Sequence, residues 1–272
     1  MNKIFKLFKS SPHSSLKWNN YFEIYETSLK KFINKKVTLV EIGVGNGGSL
    51  FMWKKFLGSK AKIIGIDLNP DAKKFEKFGF KIFIGDQADP NFWKKFYSKN
   101  GKIDILIDDG GHTNLQQITA LMESIENIKN DGLIIIEDTH TSFINYKGFK
   151  NPSDYSLINF TNKIIENLHR RNPMIKKKMN LFSKKISSIE YFDSIVIIKI
   201  SKKKYSYSKN LYNNKKLNSF FTDYRFKRAI IKKNNNKISL LNYIKSKISK
   251  KGFLQGIYEN HLIKKYLDKL NN

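Results

Sequence analysis

Residues 40–49 read Val-Glu-Ile-Gly-Val-Gly-Asn-Gly-Gly-Ser and are the most informative stretch of the chain about its fold. Four of its glycines fall within positions 43–48, directly after the apolar run 37–40. An apolar run that ends in clustered glycines is typical of a strand, a tight turn and the start of a helix. Because glycine lacks a Cβ and tolerates positive φ, such a turn lets the backbone approach a nucleotide-like cofactor closely.

Around this turn, the chain alternates between strand and helix patterns. A helical lead-in is predicted over 1–36, where apolar residues recur at helical spacing. Further runs predict strands at 37–42, 62–66, 81–84, 103–107 and 133–137, and helices at 49–57, 70–77, 90–98 and 115–128. Continuous apolar strands that alternate with helices indicate a mostly parallel sheet with helices on both faces.

The pattern changes after residue 137. A helix is predicted over 154–169, and strands are predicted over 186–191 and 194–200 with only Phe192 and Asp193 between them. So short a link requires antiparallel pairing, because a parallel crossover needs about a dozen residues. We therefore predict an α/β domain over 37–200, with a Rossmann-like, mostly parallel sheet that ends in an antiparallel hairpin.

Composition limits the chemistry and the location. The 272 residues include no cysteine, which excludes disulfides, thiolate zinc sites and a cysteine nucleophile. No apolar run approaches the roughly 18 residues needed to cross a bilayer, so we expect no transmembrane segment. Basic residues interrupt the apolar residues at the start of the chain, so we expect no secretory apolar region there. These features predict a cytoplasmic protein.

The net charge of +28 raises the question of a nucleic-acid partner. Residues 201–272 form a Lys-rich extension that holds 19 lysines and arginines against three acidic residues. Arginine is the better reader of bases and phosphates, yet it occurs only four times in the chain. We therefore interpret the extension as a solvated basic surface and do not expect nucleic acid as the partner.

Acidic residues near the ends of the first strands indicate the cofactor. Glu41 lies two residues before the first glycine, where a carboxylate would repel a pyrophosphate and suit a cofactor with an ammonium and a sulfonium. Asp67 can accept both ribose hydroxyls, and Asp86 with Gln87 can bind an adenine edge. Helix capping and turn formation are the alternative roles of these aspartates. The predicted cofactor-binding residues are Glu41, Gly43, Gly45, Gly48, Asp67, Asp86, Gln87 and Asp108.

Two further carboxylate pairs follow the next two strands. These are Asp108-Asp109 and Glu137-Asp138, and unpaired carboxylates at one spot would raise each other's pKa. A divalent cation relieves that repulsion, and oxygen ligands without cysteine suit Mg²⁺ or Mn²⁺. His112 lies three residues past Asp109 and could act there as a general base. A surface turn with an ordinary loop histidine is the alternative.

With these motifs, residues 15–200 resemble class I S-adenosylmethionine-dependent methyltransferases, and more narrowly the metal-dependent sugar O-methyltransferases of the macrocin and mycinamicin type. The resemblance implies that Asp109, Glu137 and Asp138 hold Mg²⁺ and that His112 is the base. The family often has two aspartates at 137–138 and glycine–serine at 110–111. Its aspartate–lysine pair near the N-terminus appears here as Leu16-Lys17, and no role is assigned to it.

The resemblance implies an enzyme that uses S-adenosylmethionine and Mg²⁺ to methylate a sugar hydroxyl. Its partner would be a small-molecule or saccharide acceptor, and a homo-oligomer is compatible with the sequence. Three alternatives stay open. They are a nucleic-acid methyltransferase that uses the basic extension, an NAD-dependent dehydrogenase that shares the glycines, and a non-catalytic binding protein on the same fold.

Overall fold

A computed structural model describes residues 2–144 and 155–211 of the chain. One sheet of seven strands organises these residues, in the spatial order β3-β2-β1-β4-β5-β7-β6. The strands are Thr38–Ile42 (β1), Lys62–Asp67 (β2), Lys81–Ile84 (β3), Ile103–Asp108 (β4), Ile128–Ile136 (β5), Ile186–Phe192 (β6) and Ile195–Ile200 (β7). The first five are parallel, and β7 pairs antiparallel with both β5 and β6. The predicted Rossmann-like sheet with a terminal hairpin is confirmed.

Helices connect the strands and precede the sheet. The α-helices are Lys3–Lys9 (α1), Tyr21–Leu29 (α2), Gly48–Leu57 (α3), Pro90–Asn100 (α4), Asn114–Ser124 (α5), Leu157–Leu168 (α6) and Leu181–Lys185 (α7). Short 3₁₀ helices cover Lys30–Phe32, Pro70–Phe78, Thr139–Phe143 and His169–Arg171. Local capping explains several starts: Asp89 caps α4 ahead of Pro90, and Thr113 forms a capping box with Gln116 at α5.

The helices cover both faces of the sheet, as predicted. On one face, Tyr21, Trp53 and Phe75 belong to a buried cluster with alternate residues of the strands. On the other face, Trp93 and Ile164 belong to a second buried cluster. Strands that are buried on both sides need apolar residues at nearly every position, which explains their continuous apolar runs.

The order of the strands fixes where a ligand can bind. The chain moves outward from β1 to β3 and then returns to place β4 on the other side of β1. Ile42 at the end of β1 pairs with Asp108 at the end of β4, and Asp108 pairs with Ile136 of β5. The crevice at such a reversal, beyond the carboxyl ends of the strands, is the usual ligand site of an open α/β sheet.

Two boundaries and one helix type differ most from the sequence-based expectations. The helix predicted over 115–128 ends at Ser124, and β5 begins at Ile128 instead of residue 133. The Asn127 carbonyl accepts a hydrogen bond from the N–H of Ile103 (3.0 Å), at the start of β4. The prediction was wrong here because the apolar residues fit a buried strand as well as a helix. The predicted helix at 70–77 is a 3₁₀ helix.

Parts of two predicted segments lie outside the described residues. One is the start of the helix predicted from Asp154, which the structure describes as α6 from Leu157. The other is the Lys-rich extension beyond Leu211, so its role stays a prediction. In the described ranges, none of the helices combines the length and apolar character needed to span a bilayer.

Candidate active site

A cavity of about 730 Å³ opens at the carboxyl edge of the sheet. Its volume is in the range of small-molecule sites. Its walls come from the Gly-rich turn, from residues after β2, β3, β4 and β5, and from an N-terminal segment. We call that segment, residues 11–18, the N-terminal strap; its residues Ser14 to Trp18 line the cavity. The cavity thus lies at the strand-order reversal that topology indicates.

The Gly-rich turn brings the backbone against two neighbouring segments. Gly43 has φ of +87°, and a Cβ there would lie 1.9 Å from the carbonyl oxygen of Asp109. Gly45 also has positive φ, but a Cβ there would meet no atom within 4 Å. Gly43 and Gly45 line the cavity, whereas Gly48 contacts the strap and donates its N–H to Ser14 (3.2 Å).

Replacing Gly43 by alanine should destabilise the fold strongly. The added methyl would overlap the Asp109 carbonyl, and the left-handed φ adds its own cost, for a total of about 3 to 5 kcal/mol. Gly79→Ala is the matched control, because Gly79 also has positive φ (+83°) but its Cβ would enter open space. It should lose about 1 to 2 kcal/mol. Equal losses in urea unfolding would contradict the close approach.

The residues predicted to bind ribose and adenine line the cavity beyond this turn. Asp67 Oδ2 accepts the backbone N–H groups of Val44 and Gly45, both at 2.9 Å. Asp86 lines the cavity and accepts the N–H of Ala88. The Asp67 carboxylate therefore holds the glycine turn in shape as well as facing the cavity.

Gln87 and Asp108 form a buried pair behind this wall. Gln87 Nε2 donates to both Asp108 oxygens (3.0 and 3.1 Å), and Gln87 Oε1 accepts the N–H of Gly111 (3.0 Å). Gln87 lines the cavity, but Asp108 does not. Burial raises the pKa of Asp108 to about 6, although the Gln87 amide opposes the shift. Asp108 thus orients Gln87, and the structure places no Asp108 atom at the cavity wall.

Glu41 occupies a different place from the one the sequence argument gives it. Its fully buried carboxylate accepts hydrogen bonds from Ser49 Oγ (2.7 Å) and Trp53 Nε1 (2.9 Å) of α3. Burial raises its pKa to about 7, while Lys17, 3.8 Å away, opposes that shift. The structure therefore places Glu41 below the cavity, in contact with α3 and not at the wall where a cofactor would bind.

Sequence reasoning missed the residue at the centre of the acidic cluster, which is Lys17. Its ammonium lies 2.5 Å from Asp109 Oδ2 and 2.8 Å from Glu137 Oε2. The Lys17 side chain is only 1% exposed, and Glu137 is likewise buried. The available signal was the lysine of Leu16-Lys17, which matches half of a family motif; its partners lie 92 and 120 residues away.

The pKa shifts of this cluster follow from burial and charge. Burial alone disfavours the charged form of Lys17, but Glu137, Asp109 and Glu41 outweigh it and raise the pKa of the ammonium. Burial, reinforced by Asp109, raises the pKa of Glu137 well above its usual range, and Lys17 opposes the shift. One buried ammonium thus faces three carboxyl groups, so binding of a further cation would be favourable in this cluster.

His112 and Asp138 face each other at the mouth of the cavity. His112 Nε2 lies 3.3 Å from Asp138 Oδ2 and 3.9 Å from Asp109 Oδ1. Both His112 (φ 56°) and Asp138 (φ 53°) adopt left-handed backbone conformations, which are costly for residues other than glycine and cluster at functional sites. The other Asp138 oxygen accepts hydrogen bonds from Tyr21 (2.6 Å) and Trp18 (3.0 Å).

The side chains of Asp109, His112 and Asp138 can hold a metal ion. Each offers one ligand atom, and these atoms lie within 4.8 Å of one another. This set shares two members with the predicted metal ligands, while Glu137 contacts Lys17 instead. The carboxylate oxygens of Asp109 and Asp138 suit Mg²⁺ or Mn²⁺, whereas an imidazole nitrogen is typical of softer ions such as Zn²⁺. The remaining histidine of this region, His140, bonds Ser194 (2.6 Å).

Sequence comparison finds similar proteins among O-methyltransferases. A demethylmacrocin O-methyltransferase of Streptomyces fradiae is 30% identical over 161 residues, 57% of this chain and 39% of that protein. The mycinamicin VI 2''-O-methyltransferase of Micromonospora griseorubida is 32% identical over 137 residues, 48% and 33% of the two chains. A rhamnosyl tetracenomycin-C 2'-O-methyltransferase of Streptomyces olivaceus is 30% identical over 58% and 44%. The chain thus spans less than half the length of these relatives. No family model matches it.

Comparison with solved structures also finds a methyltransferase with a similar fold. The MycE methyltransferase of the mycinamycin pathway, solved with Mg and SAH, matches 74% of this chain and 53% of its own, with a TM-score of 0.63 and 22% identity. A further crystal structure of MycE, with Mg, SAH and mycinamycin VI, matches equally well. In sequence and in fold, this chain resembles the sugar O-methyltransferases of the macrocin and mycinamicin type.

Proposed function

We propose that this protein is an S-adenosylmethionine-dependent, Mg²⁺-assisted O-methyltransferase that acts on a sugar hydroxyl. The observation that carries the proposal is the convergence of Asp109, His112 and Asp138 at the mouth of a cavity whose other wall is the Gly-rich turn. The named relatives support the reaction class, since each is an O-methyltransferase. A sugar hydroxyl as the acceptor is supported by the same names, one of which contains a rhamnosyl group.

The wall that carries the Gly-rich turn fits S-adenosylmethionine. Gly45 leaves room for close approach, because a Cβ there would meet no atom within 4 Å. Asp67 would present its carboxylate to the ribose hydroxyls, and Asp86 with Gln87 would face an adenine edge. Glu41 contributes indirectly, because it fixes Lys17 and α3 beneath the turn. When bound at this wall, S-adenosylmethionine would supply the methyl group that the acceptor oxygen takes, and S-adenosylhomocysteine would be the leaving group.

Asp109 and Asp138 would hold Mg²⁺, with Glu137 as the further predicted ligand. When bound, Mg²⁺ supplies positive charge that orients an acceptor and lowers the pKa of its hydroxyl. Glu137 is available for this role only to the extent that Lys17 releases it, since both its oxygens contact the ammonium (2.8 and 3.0 Å). Without a bound metal ion, Lys17 therefore holds Asp109 and Glu137 together.

His112 would remove the proton of the acceptor hydroxyl through Nε2. Oxygens of Asp138 and Asp109 lie 3.3 and 3.9 Å from that nitrogen, and these carboxylates would stabilise the positive charge that the ring gains. Asp138 is in turn fixed by Tyr21 and Trp18, so the carboxylate that orients His112 is itself oriented. Such positioning supplies much of the rate when the leaving group is already good.

Removal of divalent cations should abolish methyl transfer. With S-adenosylmethionine and methyl α-L-rhamnopyranoside as acceptor, EDTA should reduce SAH formation to background, and Mg²⁺ should restore it. Calorimetric titration of Mg²⁺ gives a readout independent of turnover. Asp109→Asn should weaken that binding, because it removes one charged ligand. Full transfer in EDTA would contradict the metal assignment.

The same preparation distinguishes the proposal from a dehydrogenase. SAH should raise the melting temperature, and NAD should leave it unchanged, because a protein is stabilised only by a ligand that binds its native state. Stabilisation by NAD instead would favour the dehydrogenase alternative. A steep salt dependence of RNA binding would favour the nucleic-acid methyltransferase. Cytoplasmic location and a homo-oligomeric state stay predictions.

A further inference from the structure

One large aromatic side chain lies open at the rim of the cavity. The chain contains three tryptophans, of which Trp53 and Trp93 are fully buried. Trp18, at the end of the N-terminal strap, is 57% exposed and lines the cavity. An exposed indole at a cavity mouth presents a flat apolar surface, and tryptophan is enriched at interfaces where one end of the ring is apolar and the other is wet.

The indole of Trp18 is held in place by its neighbours. Its Nε1 donates to Asp138 Oδ1 (3.0 Å), and its ring packs edge-to-face against His140, with centroids 5.9 Å apart. The preceding residue, Lys17, is anchored by ion pairs to Asp109 and Glu137. The ring is therefore preorganised, so a ligand would lose little binding energy in ordering it.

The hydrogen bond to Asp138 links this ring to the proposed base. The same carboxylate that accepts from Trp18 through Oδ1 approaches His112 Nε2 through Oδ2 (3.3 Å). A molecule that packs on the indole face would therefore place its polar edge near His112, with the Asp138 carboxylate beside both. The indole supplies apolar contact, and the adjoining Asp138 and His112 supply polar contact.

The cofactor is a poor candidate for this surface. The residues proposed for its adenine follow β3, whereas Asp138 follows β5, and the two strand ends are four strand spacings apart, about 19 Å. A pyranose ring matches the surface better, because it has C–H groups on one face and hydroxyls around its edge. Its C–H face would pack on the indole while a hydroxyl at the edge turns toward His112.

We propose that Trp18 is the platform on which the acceptor sugar ring packs, and that it selects pyranosides with an exposed C–H face. This inference rests on the proposed function, since it assumes a sugar acceptor. It assigns Trp18 a direct contact with the acceptor, while its hydrogen bond to Asp138 fixes where the sugar lies relative to His112.

The test uses saturation-transfer NMR with the full chain, SAH, Mg²⁺ and methyl α-L-rhamnopyranoside as the probe. Wild type should transfer saturation most strongly to the C–H groups of one ring face. Trp18→Ala should weaken probe binding about ten-fold, whereas Trp18→Phe keeps a flat face and should lose about three-fold or less. Met174→Ala is the matched control, because Met174 is 86% exposed and outside the cavity lining; it should bind like wild type.

Three results would overturn the platform: wild-type affinity in Trp18→Ala, an equal loss in Trp18→Phe, or no transfer to the ring C–H groups in wild type. An equal loss would trace the effect to the lost hydrogen bond to Asp138 and not to the ring face. The proposed function fails separately, when wild type binds SAH and Mg²⁺ but methylates no sugar. If Trp18→Ala does not fold, the comparison of Trp18→Phe with Trp18→Leu decides, since leucine is apolar without being flat.

Discussion

His112→Ala should lower turnover by at least about 100-fold while the affinity for SAH stays within a factor of two, because general-base catalysis contributes about 10²- to 10⁴-fold. The ring approaches Asp138 and Asp109 through Nε2 (3.3 and 3.9 Å), and neither residue belongs to the Gly-rich turn. Truncation therefore removes the proton acceptor without disturbing the cofactor wall. Steady-state kinetics with S-adenosylmethionine and calorimetry with SAH measure the two quantities.

Two controls make this result specific. His169→Ala removes an exposed histidine outside the cavity lining and should leave turnover unchanged. Calorimetry with Mg²⁺ separates a base from a ligand, because His112 also belongs to the cluster that can hold a metal ion. If His112→Ala loses Mg²⁺ affinity and turnover in parallel, the residue is a ligand. Wild-type turnover in this variant would remove His112 from the mechanism.

Local patterns in the sequence were sufficient to predict the sheet. Apolar runs bounded by Gly, Pro and acidic residues located all seven strands, and the two-residue link at Phe192-Asp193 predicted the antiparallel hairpin. The parallel arrangement then implied that Asp109 and Glu137-Asp138 end on one edge. The structure brings them together there, where Ile42, Asp108 and Ile136 are in register.

Side-chain direction and distant contacts were not predictable in the same way. Glu41 lies in a predicted strand, and the strand pattern does not tell whether its carboxylate points to the cavity or to α3. The hydrogen bonds from Ser49 and Trp53 hold it against α3. Lys17 belongs to an irregular segment without periodicity, and its partners are about a hundred residues away in sequence. The predicted end of α5 was wrong for a different reason. The helix ends at Ser124, but Ile125 and Ile128 suit both a helix and a buried strand.

The N-terminal strap gives the site parts that the sheet lacks. It hydrogen-bonds the start of α3 through Ser11 and Ser14 at Gly48, and His13 stacks on Phe51 of that helix. Lys17 then enters the acidic cluster, and Trp18 caps its rim. Because one segment contacts both the Gly-rich turn and the acidic cluster, the proposed cofactor and acceptor sites share one structural support.

Lys17→Met should destabilise the protein by about 3 to 5 kcal/mol in the presence of EDTA, because it leaves buried carboxylates without their cation. Methionine fills similar space, so the loss reports charge more than packing. Lys31→Met is the matched control: Lys31 forms an ion pair with Asp131 at the same distance of 2.8 Å, but both side chains are substantially exposed. That variant should lose less than about 1 kcal/mol. Urea unfolding followed by circular dichroism measures both.

The double variant Lys17→Met/Glu137→Gln tests the cause of this loss. If the unpaired Glu137 charge is the main cost, neutralising it should recover part of the stability, with a coupling energy of about 1 to 3 kcal/mol. The double variant also keeps the test open if Lys17→Met alone does not fold. Mg²⁺ should stabilise Lys17→Met more than wild type, because the divalent cation then meets carboxylates that no ammonium neutralises. A loss below 1 kcal/mol in Lys17→Met, or no recovery on removing the Glu137 charge, would show that Lys17 does not hold the acidic cluster together.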